Sequence, residues 1–299
     1  AGVHVVIPTT GLFRNRDVIR NYWKLVEKYH ATVLSGVSTV LTALTEVPLA
    51  GADISTLRYA RTGAAPLTPE LAARFTKLFG LHIYETYGMT EMVGTSTVTP
   101  PGLKREAGCV GLRQPYSQMR VVALDEQGGA SDRVQSVGQS GMVQFKAPNV
   151  FAGYLNPEDN HHAFSPDGWL NTGDLGYIDD QECLHLSGRA KDLIIRGGHN
   201  IDPRVIEDAL DSHPAVQTSA AVGAPDDYAG ELPVAYVTLV PGAKVQESEL
   251  LDWVRERVDE PPARPRWVQI LPAMPLTNVG KIYKPELREL AKQTMLQAK

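Results

Sequence analysis

Apolar residues in the first hundred positions fall into short strand-like runs that alternate with segments of helical periodicity. The runs predict strands at Val3–Ile7, Thr32–Ser35, Leu57–Arg61 and His82–Tyr84. Helices are predicted at Asp17–Tyr29 and Pro69–Phe79, and the first of them would bury a stripe made by Ile19, Trp23, Val26 and Tyr29. Strands that alternate with helices are typical of βαβ units, so residues 1–100 predict part of a large α/β domain.

The second of these helices carries signals at both ends. Thr68 precedes a proline at the first helical position, and Gly80 follows the last apolar residue. A threonine oxygen satisfies a free backbone N–H group at a helix start, and glycine readily adopts the left-handed conformation that ends many helices. We therefore expect this helix to begin after Thr68 and to end before Gly80.

The pattern changes twice after residue 100. Residues 101–190 predict a small β subdomain, an antiparallel barrel-like structure or sheet, with strands at Gln118–Leu124, Gly141–Ala147 and Glu182–Leu186. Residues 191–299 predict a compact α+β domain, with helices at Pro203–Asp211, Glu247–Val258 and Lys284–Lys292 and strands at Thr218–Val222, Val234–Leu239 and Trp267–Ile270. The fold class expected for the 299 residues is α/β, or α+β overall, in three parts.

Charge and composition narrow the classes of function. The 29 Lys and Arg residues are outnumbered by 34 Asp and Glu residues, and a net charge of −5 argues against nucleic acid as the main partner. No apolar run approaches the roughly 18 residues that suggest a membrane span, so no integral membrane segment is expected. Cys109 and Cys183 lie far apart and fit neither a metal-ligand spacing nor a disulfide framework, which favours a reducing, cytoplasmic location.

The segment YETYGMTE, residues 84–91, follows a predicted strand and combines groups that bind nucleotides. Gly88 would let a ligand approach the backbone, and Tyr87 offers a flat face for a base. The hydroxyl of Thr90 can bond a phosphate oxygen, and the carboxylate of Glu91 suits Mg²⁺. A surface turn with a capping threonine and a solvated glutamate explains the same residues.

Three further segments place a charged side chain close to glycine. In Gly168–Gly176, the carboxylate of Asp174 can accept both hydroxyls of a vicinal diol, although an Asx turn explains it equally well. Gly188–Pro203 predicts a hairpin that can swing, with a solvated loop as the alternative. In Pro275–Lys284, Lys281 can present its ammonium to anions or remain solvated. That segment lacks the upstream glycines and the hydroxyl residue of a phosphate-cradling loop.

The order of these four segments resembles the adenylate-forming superfamily, which includes acyl- and aryl-CoA synthetases, adenylation domains of peptide synthetases and beetle luciferases. Thr62–Leu67 (TGAAPL) and Ala221–Asp226 (AVGAPD) extend the resemblance over nearly the whole chain. Among these groups, the chain is most similar to the AMP-binding fatty-acyl-CoA synthetases. We expect the corresponding fold, with a mobile C-terminal domain.

The resemblance implies a role for each matching residue. The nucleotide-binding residues would be Gly63, Ala64, Ala65, Tyr87, Gly88, Thr90, Asp174 and Arg189. The catalytic residues would be Lys281, Glu91 and Thr90, with Glu91 also holding the metal. The acyl pocket would include Thr86, Met89 and Gly94. Lys191 would be the hinge of the C-terminal domain, and Gly197 and Gly198 would lie at the tunnel for the pantetheine of CoA.

The implied activity is ATP-dependent activation of a carboxylic acid, fatty or otherwise hydrophobic, to an acyl adenylate, followed by thioester formation with coenzyme A. ATP, Mg²⁺ and coenzyme A would be the cofactors, the partners would be small molecules, and a homodimer is one compatible assembly. Two alternatives stay open. One is an adenylation enzyme that loads a carrier protein, and the other is a noncatalytic nucleotide-binding protein.

Departures from the family pattern add three expectations. The Ser/Thr/Gly-rich phosphate loop that normally lies upstream is missing, and the chain starts with Ala1, so we expect the C-terminal portion of a longer synthetase. Such a portion alone would bind MgATP weakly and would not turn over. Glu182 stands where relatives usually have the glycine of a tight hairpin, so this turn should be strained or differently shaped.

Overall fold

A computed structural model describes residues 2–64, 67–103, 108–125, 128–277 and 281–297. The helices within these ranges are α1 Arg16–Arg20, α2 Tyr22–Tyr29, α3 Ser38–Thr45, α4 Pro69–Phe79, α5 Pro203–Asp211, α6 Glu247–Arg257 and α7 Lys284–Gln297. The strands are β1 Val33–Ser35, β2 Tyr59–Gly63, β3 Ile83–Met89, β4 Gly94–Val98, β5 Cys109–Arg113, β6 Gln118–Leu124, β7 Ala130–Val134, β8 Gly141–Lys146, β9 Leu170–Ile178, β10 Leu184–Arg189, β11 Ile194–Arg196, β12 His199–Ile201, β13 Val216–Asp226, β14 Gly230–Leu239 and β15 Val268–Ile270. The mixed α/β fold class is therefore confirmed.

The chain divides into two compact units. The first comprises Ala1–Ala123, Ala130–Thr172 and Gly176–Leu186, and the second comprises Leu124–Gly129, Gly173–Leu175 and Ser187–Lys299. The division into domains 1–100, 101–190 and 191–299 stays a prediction.

Strands β1, β2 and β3 pair in parallel, as the βαβ pattern predicts. Helix α2, which precedes β1, and the connecting helices α3 and α4 bury a shared apolar cluster that includes Trp23, Leu41 and Phe75. The indole N–H of Trp23 donates to the carbonyl of Val47 at 2.9 Å, so this buried polar group is satisfied. The predicted ends of α4 are confirmed, because Thr68 Oγ1 accepts from the Leu71 N–H group and Gly80 has φ +69°.

Two predictions for the N-terminal residues are wrong. The segment Val3–Ile7 forms no strand and lies exposed. No strand among the described residues pairs with it, and an extended run needs such hydrogen-bond partners. The predicted helix Asp17–Tyr29 is interrupted at Asn21, so two short helices replace one long one. Ile19, Trp23 and Val26 of the predicted stripe still contribute to one apolar cluster, whereas Tyr29 in the last turn is 44% exposed.

Of the predicted barrel or sheet, the described strands form a sheet and no closed barrel. The short strands after residue 100 continue the sheet of β1, β2 and β3, and the described strands run in the order β1-β2-β3-β4-β5-β10-β9-β8-β6-β7. The sheet stays open, with β1 and β7 at its edges. Gly- and Pro-separated strands predict antiparallel pairing correctly but carry no information on whether a sheet closes.

The second unit contains a sheet of order β12-β11-β14-β13, with β15 beside β14. Successive residues of β13 point to opposite faces, so Ala221 joins the apolar cluster under α5 and α6 whereas Ala220 and Val222 join the cluster under α7. Both faces are therefore covered by helices. The predicted compact α+β arrangement of these elements is confirmed.

The two cysteines are distant in sequence but close in space. β5 and β10 pair antiparallel, and the Cα partner of Cys109 is His185. Burial raises the pKa of Cys183 to about 12, and a hydrogen bond with Cys109 contributes. Both thiols are free and buried. The sequence separation of the two cysteines therefore gave no indication that they are neighbours in the fold.

Glu182 lies in the hairpin before β10 and has φ +60°, as expected for a residue at a glycine-like position. Asp179 Oδ1 accepts from the backbone N–H groups of Gln181 and Cys183, each at 2.9 Å, and so stabilises the turn. The expected strain is confirmed, because residues with a Cβ are disfavoured in this conformation.

Candidate functional site

β3 brings together most of the predicted nucleotide and acyl residues of the first unit. It pairs with β2 on one side, where Thr86 opposes Gly63, and with β4 on the other, where Met89 opposes Gly94. β3 extends to Met89, so the segment predicted to follow the strand is largely part of it. Ala64 follows β2 in the left-handed conformation with φ +66°. Ala65 lies outside the described residues.

Gly88 and Gly63 have structural reasons to be glycine. A Cβ built on Gly88 would lie 1.7 Å from the carbonyl oxygen of Gly94 on the neighbouring strand. A Cβ on Gly63 would lie 2.6 Å from Oγ1 of Thr86. Close approach of two strands therefore requires glycine at both positions, whether or not a ligand approaches the backbone there.

Alternate side chains of β3 point inward, and two of them are polar. The ring of Tyr87 is 9% exposed and belongs to an apolar cluster with Met92 and Phe145. Glu85 is 5% exposed, and its Oε1 accepts from the Leu67 N–H group at 3.0 Å. Glu85 thereby connects β3 to the chain that follows Ala64. Sequence reasoning missed this residue, although a glutamate at an inward position of a strand was a usable signal.

Thr90 and Glu91 form a short 3₁₀ turn with Met92 directly after β3. The side chain of Thr90 is exposed and that of Glu91 is partly exposed, so both are accessible at the strand's carboxyl end. The hydroxyl of Tyr154 donates to Glu91 Oε1 at 2.5 Å. This hydrogen bond raises the pKa of Tyr154 to about 12, with burial contributing less. Sequence reasoning missed Tyr154, which lies 63 residues from Glu91.

Glu91 fits the chemistry of a magnesium ligand. No group of three or more His, Cys, Asp or Glu side chains that could hold a metal occurs among the described residues. Mg²⁺ usually takes one or two carboxylates together with waters and substrate phosphates, so a dedicated cluster is not needed. A single accessible carboxylate beside a hydroxyl residue is the donor set expected where the phosphates complete the coordination.

Asp174 and Arg189 form a partly buried ion pair in the second unit. Arg189 Nε donates to Asp174 Oδ1 at 2.8 Å; the Asp174 side chain is 8% exposed and that of Arg189 is 51% exposed. The structure therefore brings these two predicted residues into direct contact. A carboxylate with an arginine on one oxygen is held in a fixed orientation, as recognition of a diol requires.

Lys191 lies exposed in a 3₁₀ turn between β10 and β11. Its carbonyl accepts from Arg288 Nη2 at 3.2 Å, and the same guanidinium nitrogen lies 2.6 Å from Asp192 Oδ1. The last helix is thereby tied to this turn. Whether Lys191 is a hinge stays a prediction.

The predicted hairpin is confirmed as β11 and β12, joined by Gly197 and Gly198 with φ +56° and +84°. A cavity of about 500 Å³ lies against this turn and is lined by Arg196, Gly197, His199, Asp226, Tyr228, Ala229, Leu232, Pro261 and Pro262. Tyr228 is fully exposed, so its aromatic ring is accessible. The cavity thus combines an aromatic ring with one guanidinium, one carboxylate and apolar side chains.

Lys281 lies exposed three residues before the start of α7. Its backbone N–H donates to Thr277 Oγ1 at 3.1 Å, and its carbonyl accepts from the Thr277 N–H group at 2.7 Å. Leu276 and Ile282 form a bridge just outside these bonds. The backbone of Lys281 is therefore fixed while its side chain extends to solvent.

Comparison with known proteins identifies the family. The model described as AMP-binding enzyme matches residues 1–155, and the model described as AMP-binding enzyme C-terminal domain matches residues 205–281. The chain belongs to the AMP-binding enzyme family. No helix among the described residues has the length and apolar character needed to cross a membrane.

The relatives of this AMP-binding chain include several CoA ligases. The marinolic acid–CoA ligase of Pseudoalteromonas sp. (strain SANK 73390) is 42% identical over 92% of this chain and 42% of its own length. The long-chain-fatty-acid–CoA ligase of Escherichia coli O157:H7 is 33% identical over 94% of this chain and 49% of its own. The chain thus spans about half the length of the relatives it matches.

Solved structures agree with the family assignment. ATP-bound MatB from Rhodopseudomonas palustris is 32% identical, with a TM-score of 0.83 over 92% of this chain and 53% of its own. The o-succinylbenzoate CoA synthetase of Bacillus subtilis, bound to its acyl-adenylate intermediate, is 29% identical, with a TM-score of 0.77 over 90% of this chain and 53% of its own. The expected resemblance to adenylate-forming enzymes is confirmed.

Proposed function

We propose that the whole protein is an AMP-forming acyl-CoA synthetase. It would activate a fatty or other hydrophobic carboxylic acid with ATP and Mg²⁺ and transfer the acyl group to coenzyme A. The Asp174–Arg189 pair carries this proposal, because it is a preset diol-binding carboxylate in a chain whose relatives include CoA ligases. The fatty or hydrophobic substrate class rests on the long-chain-fatty-acid ligases among those relatives.

The proposed roles in the first half-reaction follow from charge. Asp174 would accept the ribose hydroxyls, and Thr90 would donate to a phosphate oxygen. Glu91 would hold Mg²⁺, which supplies charge neutralisation at the phosphates when bound. Lys281 would bring its ammonium to the carboxylate and α-phosphate as they react, because two anions approach each other there. Its exposed side chain and fixed backbone support this role.

In the second half-reaction, the cavity beside Gly197 and Gly198 would accept coenzyme A. Its volume of about 500 Å³, the accessible ring of Tyr228 and the guanidinium of Arg196 suit a nucleotide with phosphates. We propose Lys191 as the hinge about which the C-terminal domain rotates between the two half-reactions. The acyl pocket is proposed at Thr86, Met89 and Gly94, beside the end of β3.

Pyrophosphate exchange with the protein expressed from its complete reading frame tests the first half-reaction. Lys281→Ala should reduce fatty-acid-dependent exchange at least about a hundredfold. Lys281→Ala should still convert a supplied acyl adenylate to acyl-CoA. Lys292→Ala is the matched control, since Lys292 is exposed on α7, and it should leave both rates unchanged. Exchange that is independent of Lys281 would refute the proposed catalytic role.

The acceptor and the fragment are tested separately. If the thioester forms on a pantetheine carrier protein and not on free coenzyme A, a carrier-loading enzyme replaces the proposal. The 299-residue chain alone is proposed to bind MgATP weakly and to form no acyl-CoA, so turnover by the purified chain would contradict this. A cytoplasmic location and a homodimer are part of the proposal, and fractionation and light scattering measure them.

A further inference from the structure

We propose that Tyr154 is a positioning residue that orients the Glu91 carboxylate toward the metal. This inference rests on the proposed function, in which Glu91 holds Mg²⁺. Tyr154 Oη donates to Glu91 Oε1 at 2.5 Å, a short distance typical of a hydroxyl bonded to a carboxylate. One carboxylate oxygen thereby accepts from the phenol, which leaves the other oxygen as the metal ligand.

The segment that carries Tyr154 also holds the backbone of the Glu91 turn. The Phe151 N–H group donates to the Glu91 carbonyl at 2.8 Å, and Asn149 Nδ2 donates to the Met92 carbonyl at 2.7 Å. With the phenol, three hydrogen bonds connect residues 149–154 to two consecutive residues of the turn. The backbone is already held by two of them, so the third bond has a separate effect on the side chain.

Tyr154 is itself held in place although it lies at the surface. Asn160 Oδ1 accepts from the Tyr154 N–H group at 2.7 Å, and Asn160 Nδ2 donates to the Tyr154 carbonyl at 3.1 Å. The ring meets Phe151 edge-on at 4.8 Å between centroids. Gly153 must be glycine, since its φ is +140° and a Cβ would lie 2.8 Å from Asn160 Oδ1. Two contacts thus hold the backbone of Tyr154, and one holds its ring.

Burial does not explain this arrangement. The residue is 41% exposed, so the ring contributes little to the apolar core and the hydroxyl could be solvated without cost. A fixed phenol on a partly exposed carboxylate instead removes rotamer freedom from Glu91 before a metal binds. Partners that orient a metal ligand in this way typically change metal affinity 10–100-fold when they are removed.

Manganese binding to the protein expressed from its complete reading frame, in the presence of ATP, tests the role without relying on activity. Mn²⁺ stands in for Mg²⁺, and enhancement of the water-proton relaxation rate distinguishes the protein-bound metal–ATP complex from metal–ATP free in solution. Tyr154→Phe keeps the ring and its contact with Phe151, and should weaken Mn²⁺ binding about tenfold. Glu91→Gln should abolish the same binding. Tyr116→Phe is the control, because Tyr116 is 90% exposed, and it should leave binding unchanged.

A spectroscopic measurement separates positioning from mere support of the fold. With ¹³Cζ-labelled tyrosine, the Tyr154 resonance is identified by its loss in Tyr154→Phe. Mg²⁺ with ATP should shift this resonance in the wild-type chain and should not shift it in Glu91→Gln, because the metal withdraws electron density through the shared carboxylate. Equal urea midpoints for Tyr154→Phe and the wild-type chain are expected alongside.

Each other outcome has a defined meaning. Wild-type Mn²⁺ affinity in Tyr154→Phe, with binding lost in Glu91→Gln, overturns the positioning role and leaves the proposed function intact. Wild-type affinity in Glu91→Gln refutes the metal role of Glu91 and with it both proposals for this carboxylate. The absence of ATP-dependent Mn²⁺ binding by the wild-type protein expressed from its complete reading frame does the same. An unshifted Tyr154 resonance overturns the positioning role alone.

Discussion

Replacing Gly88 by alanine should destabilise the first unit, because β3 and β4 approach each other at this residue. The built Cβ would lie 1.7 Å from the Gly94 carbonyl oxygen and 2.8 Å from the Thr95 Cα atom. Both neighbours are backbone, so no side chain can rotate away. β4 would have to move by more than about 1 Å, which is enough to break the hydrogen bonds between the strands.

The expected cost is about 3 kcal/mol in the free energy of unfolding. Overpacking costs about 1–3 kcal/mol, and loss of two ladder hydrogen bonds adds about 1 kcal/mol each. The lower entropy of the unfolded alanine chain offsets up to about 1 kcal/mol. Gly94→Ala is the matched control on the facing strand. With φ +111° and open space around its Cβ, it should cost only about 1–2 kcal/mol of backbone strain.

Urea unfolding measures this cost, and hydrogen exchange of peptides from β3 and β4 shows where it falls. If Gly88 is glycine only to admit a ligand, Gly88→Ala will lose nucleotide affinity and keep wild-type stability. A loss of stability smaller than about 0.5 kcal/mol would therefore refute the strand-contact explanation. A loss larger than that of Gly94→Ala, centred on β3 and β4, supports it.

Substitutions at two residues and one labelling experiment give three further predictions. Glu182→Gly should raise the free energy of unfolding by about 1 kcal/mol by relieving the strain at φ +60°, and a urea midpoint at or below that of the wild type would contradict this. Burial raises the pKa of Asp202 in the folded state. Ionisation of this carboxylate therefore lowers the free energy of unfolding as the pH rises from the unfolded-state pKa to the folded-state pKa. Asp202→Asn, which keeps the helix cap, should match or exceed wild-type stability at pH 7, whereas Asp202→Ala should cost about 1 kcal/mol in thermal unfolding. Cys109 and Cys183 should resist a thiol reagent until urea unfolds the chain, since both are buried; reaction of the native protein within seconds would refute this.

Local signals in the sequence predict elements well, whereas the closure and edges of the sheet are set by distant partners. The Thr68 cap and the Gly80 stop are contained within α4, and both are found as predicted. The apolar pattern of Val3–Ile7 is the same as that of a buried strand. Whether such a run forms a strand depends on a neighbouring strand that can pair with it. The sequence also did not decide between a barrel and an open sheet, because one segment does not specify which strands it pairs with.

The candidate site shows the same contrast between features that are predictable from local sequence and features that depend on distant partners. Residue types and motif order place Glu91, Asp174 and Lys281 as candidates, and Arg189 does contact Asp174 as the resemblance implies. The inward-facing Glu85 was missed because its importance lies in one bond to the Leu67 backbone. The sequence identifies groups that can do chemistry, but it does not say which other groups hold them.

Tyr154 makes the physical reason concrete. It lies 63 residues from Glu91 and is exposed, so neither proximity nor burial marks it as part of the site. Its direction follows from Asn160 and the left-handed Gly153, whose purpose is visible only once both are in place. An exposed side chain held by several contacts has already lost the freedom that solvent exposure would normally allow. An exposed side chain that is held in one orientation is therefore a better candidate for a positioning role than a side chain that is merely exposed. The Tyr154→Phe measurement tests that reasoning directly.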